Sequence, residues 1–199
     1  MYKLCKTEQS ARRQRELEGV LLDLMYEKRF DDISVSEICL VAGIPRKAFY
    51  RYFDSKDGAL QALLDHNITD FQSYTAGREE MKKRTLQGEF EEFFLYWKSR
   101  KRLLDAFEKS NLTGLLIQNS SSYAASELVN VQKFLADEDE MIRTEVFPFV
   151  VSGLLTMTIN WYRSGFERSV LDMARVAARL VSKPIFTSLE KHGFEMEKS

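Results

Sequence analysis

Within six positions the chain carries Arg46, Lys47, Tyr50 and Arg51, flanked by Ala48, Tyr52 and Lys56. On one helical turn and its continuation, these side chains suit a duplex. Arg or Lys donates to guanine O6 and N7 in the major groove, and the Ala48 methyl matches a thymine methyl. Tyr50, Tyr52 and Lys56 are expected to reach phosphates, and Ser34 and Ser36 complete the candidate DNA-binding set. The alternative is a structural helical hairpin whose basic face is merely solvated. Charge distribution favours the first reading. Lys plus Arg total 29 against 30 for Asp plus Glu, a net of −1, yet residues 1–15 hold Lys3, Lys6, Arg12, Arg13 and Arg15 against Glu8 alone. Residues 45–56 hold Arg46, Lys47, Arg51 and Lys56 against Asp54. Local clusters of this kind hold phosphates whatever the mean charge.

Other chemistry finds few residues to carry it. The two histidines, His66 and His192, lie far apart, and neither a GxSxG elbow nor a phosphate-binding glycine loop occurs. No enzyme activity, metal site or cofactor is therefore expected. Cys5 and Cys39 have neither zinc-ligand nor disulfide-framework spacing, and the N-terminal residues lack an apolar signal core, so the chain reads as cytoplasmic. The longest uncharged stretch, Val146 to Tyr162, has 17 residues and includes Pro148, Ser152 and Asn160. That falls short of the roughly 20 apolar residues of a membrane span, so a buried helix and no membrane partner are expected.

These residues need a helical frame to position them. With three prolines and nine glycines, and no alternating run of β-branched residues, the chain reads as all-α. Leu17, Val20, Leu21 and Leu24 mark an amphipathic first helix over about Ser10 to Arg29. Ser34 and Glu37 form a capping box before a short second helix, Gly43 allows a left-handed turn, and Pro45 suits the start of a third. The third helix is expected to run on through Phe53. Phe49 and Phe53, with Ile38 and Val41, close a small core and leave Arg46, Lys47, Tyr50 and Arg51 outside, as in a helix-turn-helix. A fourth helix follows Asp54-Ser55, from Lys56 to about Tyr74. Two more are expected to meet near Ser99-Arg100, Asn119–Ser122 reads as a loop, and a helix covers Tyr123 to Leu135. After an acidic turn at Asp137–Glu140, two long helices span about Ile142–Arg163 and Val170–Ser182, the second capped by Ser169 and Asp172.

The stretch from Ser34 to Leu60, with Ala42-Gly43-Ile44, Phe49-Tyr50-Arg51-Tyr52-Phe53 and Lys56, resembles the DNA-binding domain of the TetR family of transcriptional regulators. The resemblance continues more weakly at Phe90–Leu116, Gly153-Leu154, Trp161 and Gly165–Ala174. It implies a homodimer on a palindromic double-stranded operator, one recognition helix per subunit, and a C-terminal helical domain that often takes a small-molecule effector. The chain departs from the family's pattern at Pro45 and Ala48, where hydroxyl side chains are common, and at Lys47, where a small residue is common.

The expected division is a three-helix DNA-binding domain over residues 1–65 and a larger helical dimerisation and effector domain over residues 66–199. Phe90, Phe94, Trp97 and Phe107 are candidate effector-pocket residues, with ordinary core packing as the competing reading. The helix around Trp161 is apolar on more than one side, so it must be covered on more than one side, either by another subunit or wholly within its own. Val150, Leu154, Met157 and Trp161, with Ala174, Ala178 and Val181 on the last helix, are the candidate dimer interface. The function expected is a dimeric sequence-specific repressor released by an effector. The alternatives are an activator, or a helical adaptor of the same fold that works through a protein partner.

Overall fold

A computed structural model describes residues 1–76, 85–127 and 139–182. The described residues are helical apart from turns and one isolated antiparallel bridge between Tyr2 and Phe53. Helix α1 spans Glu8–Glu27 and is capped by Thr7, whose side chain accepts from the Ser10 amide at 3.2 Å. Leu17, Leu21 and Met25, four apart, form its fully buried stripe, while Arg12 and Arg13 pair with Glu16 on the solvent side. A 3-10 turn at Phe30–Asp32 leads to α2 (Val35–Val41), α3 (Arg46–Phe49) and α4 (Lys56–Ala76). Ser55 accepts from the Gly58 amide at 3.1 Å and so starts α4.

The third helix is shorter than its aromatic run suggested. It ends at Phe49, and Tyr50, Arg51 and Tyr52 form turns, because Phe53 is drawn back into the core beside Phe49 before the chain enters α4.

Next come α5 (Leu86–Ser99) and α6 (Lys101–Lys109), which meet at Arg100 as the sequence implied. Helix α7 (Thr113–Glu127) corrects one expectation: Asn119–Ser122 is helical. The hydroxyls of Ser121 and Ser122 bond back to the carbonyls of Ile117 and Gln118 at 2.7 and 3.0 Å, so these loop-favouring residues are satisfied inside the helix. The continuation of that helix towards Leu135 and the first half of the acidic turn lie outside the described residues. Asp139 accepts from the Met141 amide at 2.7 Å and caps α8 (Glu140–Arg163). Helix α9 (Val170–Ser182) has the expected cap, with Ser169 accepting from the Asp172 amide at 3.0 Å.

Helix α1 packs on α4 and α6, α5 on α9, and α7 on α8. The buried residues form one continuous cluster from Leu17 and Phe49 at one end to Leu154 and Ala177 at the other. By length and composition α8 is long and apolar enough to cross a membrane, longer than its uncharged stretch implied. Its Leu154, Leu155, Thr158, Ile159 and Trp161 are buried in the protein core, while Met141, Ile142 and Phe149 are exposed.

Phe94 sits at the centre, fully buried and edge-on to Trp161 with ring centroids 5.8 Å apart. Below it Tyr96 donates to the Asn67 carbonyl at 2.7 Å, and burial pushes the Tyr96 hydroxyl up to about 12. Phe94→Ala is expected to lower the unfolding free energy by about 3–5 kcal/mol, read from the midpoint of urea denaturation at unchanged slope.

Candidate nucleic-acid interface

Ser34 begins the site by accepting from the Glu37 amide at 3.2 Å. The Glu37 carboxylate does not complete the box. It takes the Lys28 ammonium at 2.7 Å, and that hydrogen bond holds its carboxyl below the usual carboxylate range. Helix α2 ends in a two-bond C-terminal motif: the Ile44 amide donates to Cys39 at 3.0 Å and the Gly43 amide to Leu40 at 3.2 Å. The motif needs a left-handed residue, and Gly43 supplies it at φ +63°. The chain therefore reverses sharply, and Pro45 opens α3 with its ring in place of an amide that would have had no partner.

With four residues, α3 is far below the length at which a helix holds itself together. Its pose comes from Phe49 and Phe53, both fully buried, with ring centroids 5.1 Å apart. Their burial turns Arg46, Lys47, Tyr50 and Arg51 outward. Tyr50 is 40% exposed, and its hydroxyl accepts from Arg46 at 3.2 Å, a contact that raises the Arg46 pKa further. Lys47 and Arg51 are exposed and make no hydrogen bond or ion pair among the described residues. Three cations and a phenol thus face solvent from one short element, a surface able to donate to base edges and phosphates.

Other members of the expected set are used differently. Ala48 is only 8% exposed and lies on the inner side of α3, so its methyl is not offered to a groove. Lys56 points inward: its ammonium donates to the Phe30 carbonyl at 2.6 Å and sits 4.3 Å from the centroid of that ring. A lysine so held joins the 3-10 turn to the start of α4 and is not a free phosphate ligand. Ser34 is exposed but engaged as a cap, Ser36 is exposed on α2, and Tyr52 is half-buried. In the wider basic cluster, Arg15 is committed to Asp70 at 2.9 Å.

Phe90, Phe94, Trp97 and Phe107 are all buried and belong to the continuous core. Of the expected dimer residues, Leu154, Trp161 and Ala174 are buried within the chain, the Trp161 indole donating to the Arg168 carbonyl at 3.0 Å. Val150, Met157 and Ala178 are half-buried and Val181 is exposed. An apolar groove of about 1030 Å³ runs between α8 and α9, lined among others by Val150, Met157, Leu180 and Val181. Sequence reasoning passed over Phe149, which is 78% exposed beside that groove.

Residues 21–63 match the family model described as bacterial regulatory proteins, tetR family. The fold is similar to that of the fatty acid degradation regulator FadR from Bacillus halodurans, with a TM-score of 0.59 at 13% identity, over 92% of this chain and 98% of that one. It is also similar to a tetR-family transcriptional regulator from Streptomyces coelicolor, with a TM-score of 0.54 at 20% identity, over 86% of this chain and 79% of that one. No curated protein matches the chain.

Because Lys56 serves the 3-10 turn, Lys56→Met is expected to lower the unfolding free energy by about 1–2 kcal/mol in chemical denaturation. A purely solvent-facing lysine would leave it unchanged.

Proposed function

We propose that this chain, a DNA-binding transcriptional regulator of the tetR family by its N-terminal domain, is a homodimeric cytoplasmic repressor that reads an inverted-repeat operator with α3. The observation that carries this reading is the outward set of Arg46 and Lys47 on α3 and Tyr50 and Arg51 on the turn that follows it, with the inner side locked by Phe49 and Phe53. Arg46 and Lys47 read base edges and Arg51 and Tyr50 hold phosphates, which adds a salt-dependent, sequence-independent term to the affinity.

A four-residue helix reads too few base pairs to select a site alone. Two copies on a two-fold axis double the readout, and they fix the half-site spacing at about one helical turn, roughly 34–36 Å. The face that pairs them is the apolar groove of α8 and α9, where Phe149, Leu180 and Val181 are exposed. Apolar side chains on that scale are covered in a stable soluble protein, and a second copy presents the matching surface.

Effector release works through α4. That helix starts beside the Lys56 clamp, continues past residue 65, and ends against α5 through Phe71, whose ring lies 5.7 Å from that of Phe93. Asp70 on α4 holds both Arg15 of α1 and Arg100 at the α5–α6 corner, at 2.9 and 3.2 Å. A ligand that favours another arrangement of α5 and α6 moves α4, and the recognition helices then no longer match successive major grooves.

Selection of bound duplexes from a random pool at moderate salt is expected to enrich an inverted repeat, and sedimentation of the complex to give two chains per duplex. Enrichment of a single unrepeated half-site by a monomer would refute the dimeric reading. No enrichment at all, from folded protein, would favour the adaptor alternative.

A further inference from the structure

The segment before α1 is tied to the far end of the recognition element, and neither the family match nor the reading above gives it a task. The Lys3 amide donates to the Tyr52 carbonyl at 2.9 Å, and the Asp54 amide donates to the Met1 carbonyl at 3.1 Å. Tyr2 pairs with Phe53 as a two-residue bridge. From the other side Gln14, buried on α1, donates to the Lys3 carbonyl at 3.0 Å. The segment therefore spans from α1 to the turn that follows α3. It also runs against the start of α4, where a Cβ on Gly58 would collide with the Met1 carbonyl.

Lys3 does more than add charge. Its ammonium donates to the Tyr50 carbonyl at 2.8 Å, a helix-end acceptor that no further turn of helix satisfies. Asp54 stands 3.6 Å from the same ammonium and offsets its charge. A phosphate ligand needs a cation with its donors and charge available, whereas the half-exposed Lys3 ammonium commits one of its three N–H groups to Tyr50 and has part of its charge offset by Asp54.

We propose that residues 1–6 are a strap that sets the pose of the recognition helix, with Lys3 as its positioning residue. The proposal rests on α3 being the element that reads DNA. With the strap in place, the turn from Tyr50 to Asp54 is fixed from two sides, and Arg46, Lys47 and Arg51 keep one orientation before the duplex arrives. Without it, the turn from Tyr50 to Asp54 is held only from the core side by Phe49 and Phe53, and its remaining freedom must be lost at the moment of binding, at a cost in affinity.

The test measures affinity for the selected operator across a salt series, for wild type, Lys3→Ala, Lys3→Arg and Gly58→Ala. Lys3→Ala is expected to weaken binding about five- to tenfold, the loss of one charge-assisted hydrogen bond. The slope of log Kd against log salt stays at its wild-type value, and Lys3→Arg restores most of the affinity. Gly58→Ala weakens binding in the same way, although alanine is the better helix former. A slope reduced by roughly 0.9 in Lys3→Ala would make Lys3 a direct phosphate contact and overturn the proposal. Unchanged affinity in both Lys3→Ala and Gly58→Ala would overturn it as well. Amide hydrogen exchange keeps the strap testable without DNA. If wild type selects no duplex, the functional reading fails, while slow exchange at Lys3 and Asp54 that becomes fast in Gly58→Ala still supports the strap. Fast exchange in both proteins refutes it.

Discussion

The contact between Phe49 and Phe53 is the constraint on which the rest depends. A four-residue helix has no stability of its own, so α3 exists only because two aromatic rings, one on the helix and one beyond it, are buried together. That burial decides three things at once. It fixes which side of α3 faces solvent, it ends the helix at Phe49, and it sets where the chain must turn to begin α4. Gly43 serves the same end from the other flank, since only its left-handed backbone lets α2 and α3 cross within so few residues.

Because the core beneath this pair is continuous, the N-terminal helices are not an independent bead. The Phe30 amide donates to the Ser110 hydroxyl at 3.0 Å in a buried position, so the 3-10 turn before α2 is joined to the end of α6. Lys109 caps the C-terminal carbonyl of Tyr26 on α1 at 2.6 Å, and Arg102 pairs with Asp23 at 2.8 Å. With Asp70 held between Arg15 and Arg100, α1 is fastened to both α4 and α6. Exposed ion pairs add little stability one by one, but here they join the same helices that the buried hydrogen bond already ties together. The contacts therefore run without a break from α5 and α6 to the turn before α2.

The signals read correctly from the sequence were local ones. Ser34 and Ser169 cap the helices they precede, Gly43 makes the turn, and the α5–α6 junction falls at Arg100, each decided by a few neighbouring residues. Signals that depend on distant partners were misread. Ala48 and Lys56 look like surface residues in a basic run, yet the direction of each is set by the core and by the Phe30 carbonyl 26 positions away. Asn119–Ser122 has loop composition, but Asn119 accepts from Gln61 at 2.7 Å and Ser121 meets Ser152 on α8 at 2.6 Å, contacts no local window contains. Helix α8 is apolar on several faces, so periodicity did not separate Trp161, which packs inside, from Phe149, which stays outside. The N-terminal strap left no periodic trace, because its hydrogen bonds fall about 50 residues along the chain on a turn.

The central claim is that the outward side chains of α3 select the sequence, and it is tested most directly by the double variant Arg46→Ala, Lys47→Ala in competition between the selected operator and a scrambled duplex. The account predicts a folded protein, by its unfolding midpoint, that binds both duplexes weakly and nearly alike. A folded double variant that still prefers the same operator by the wild-type margin would contradict it.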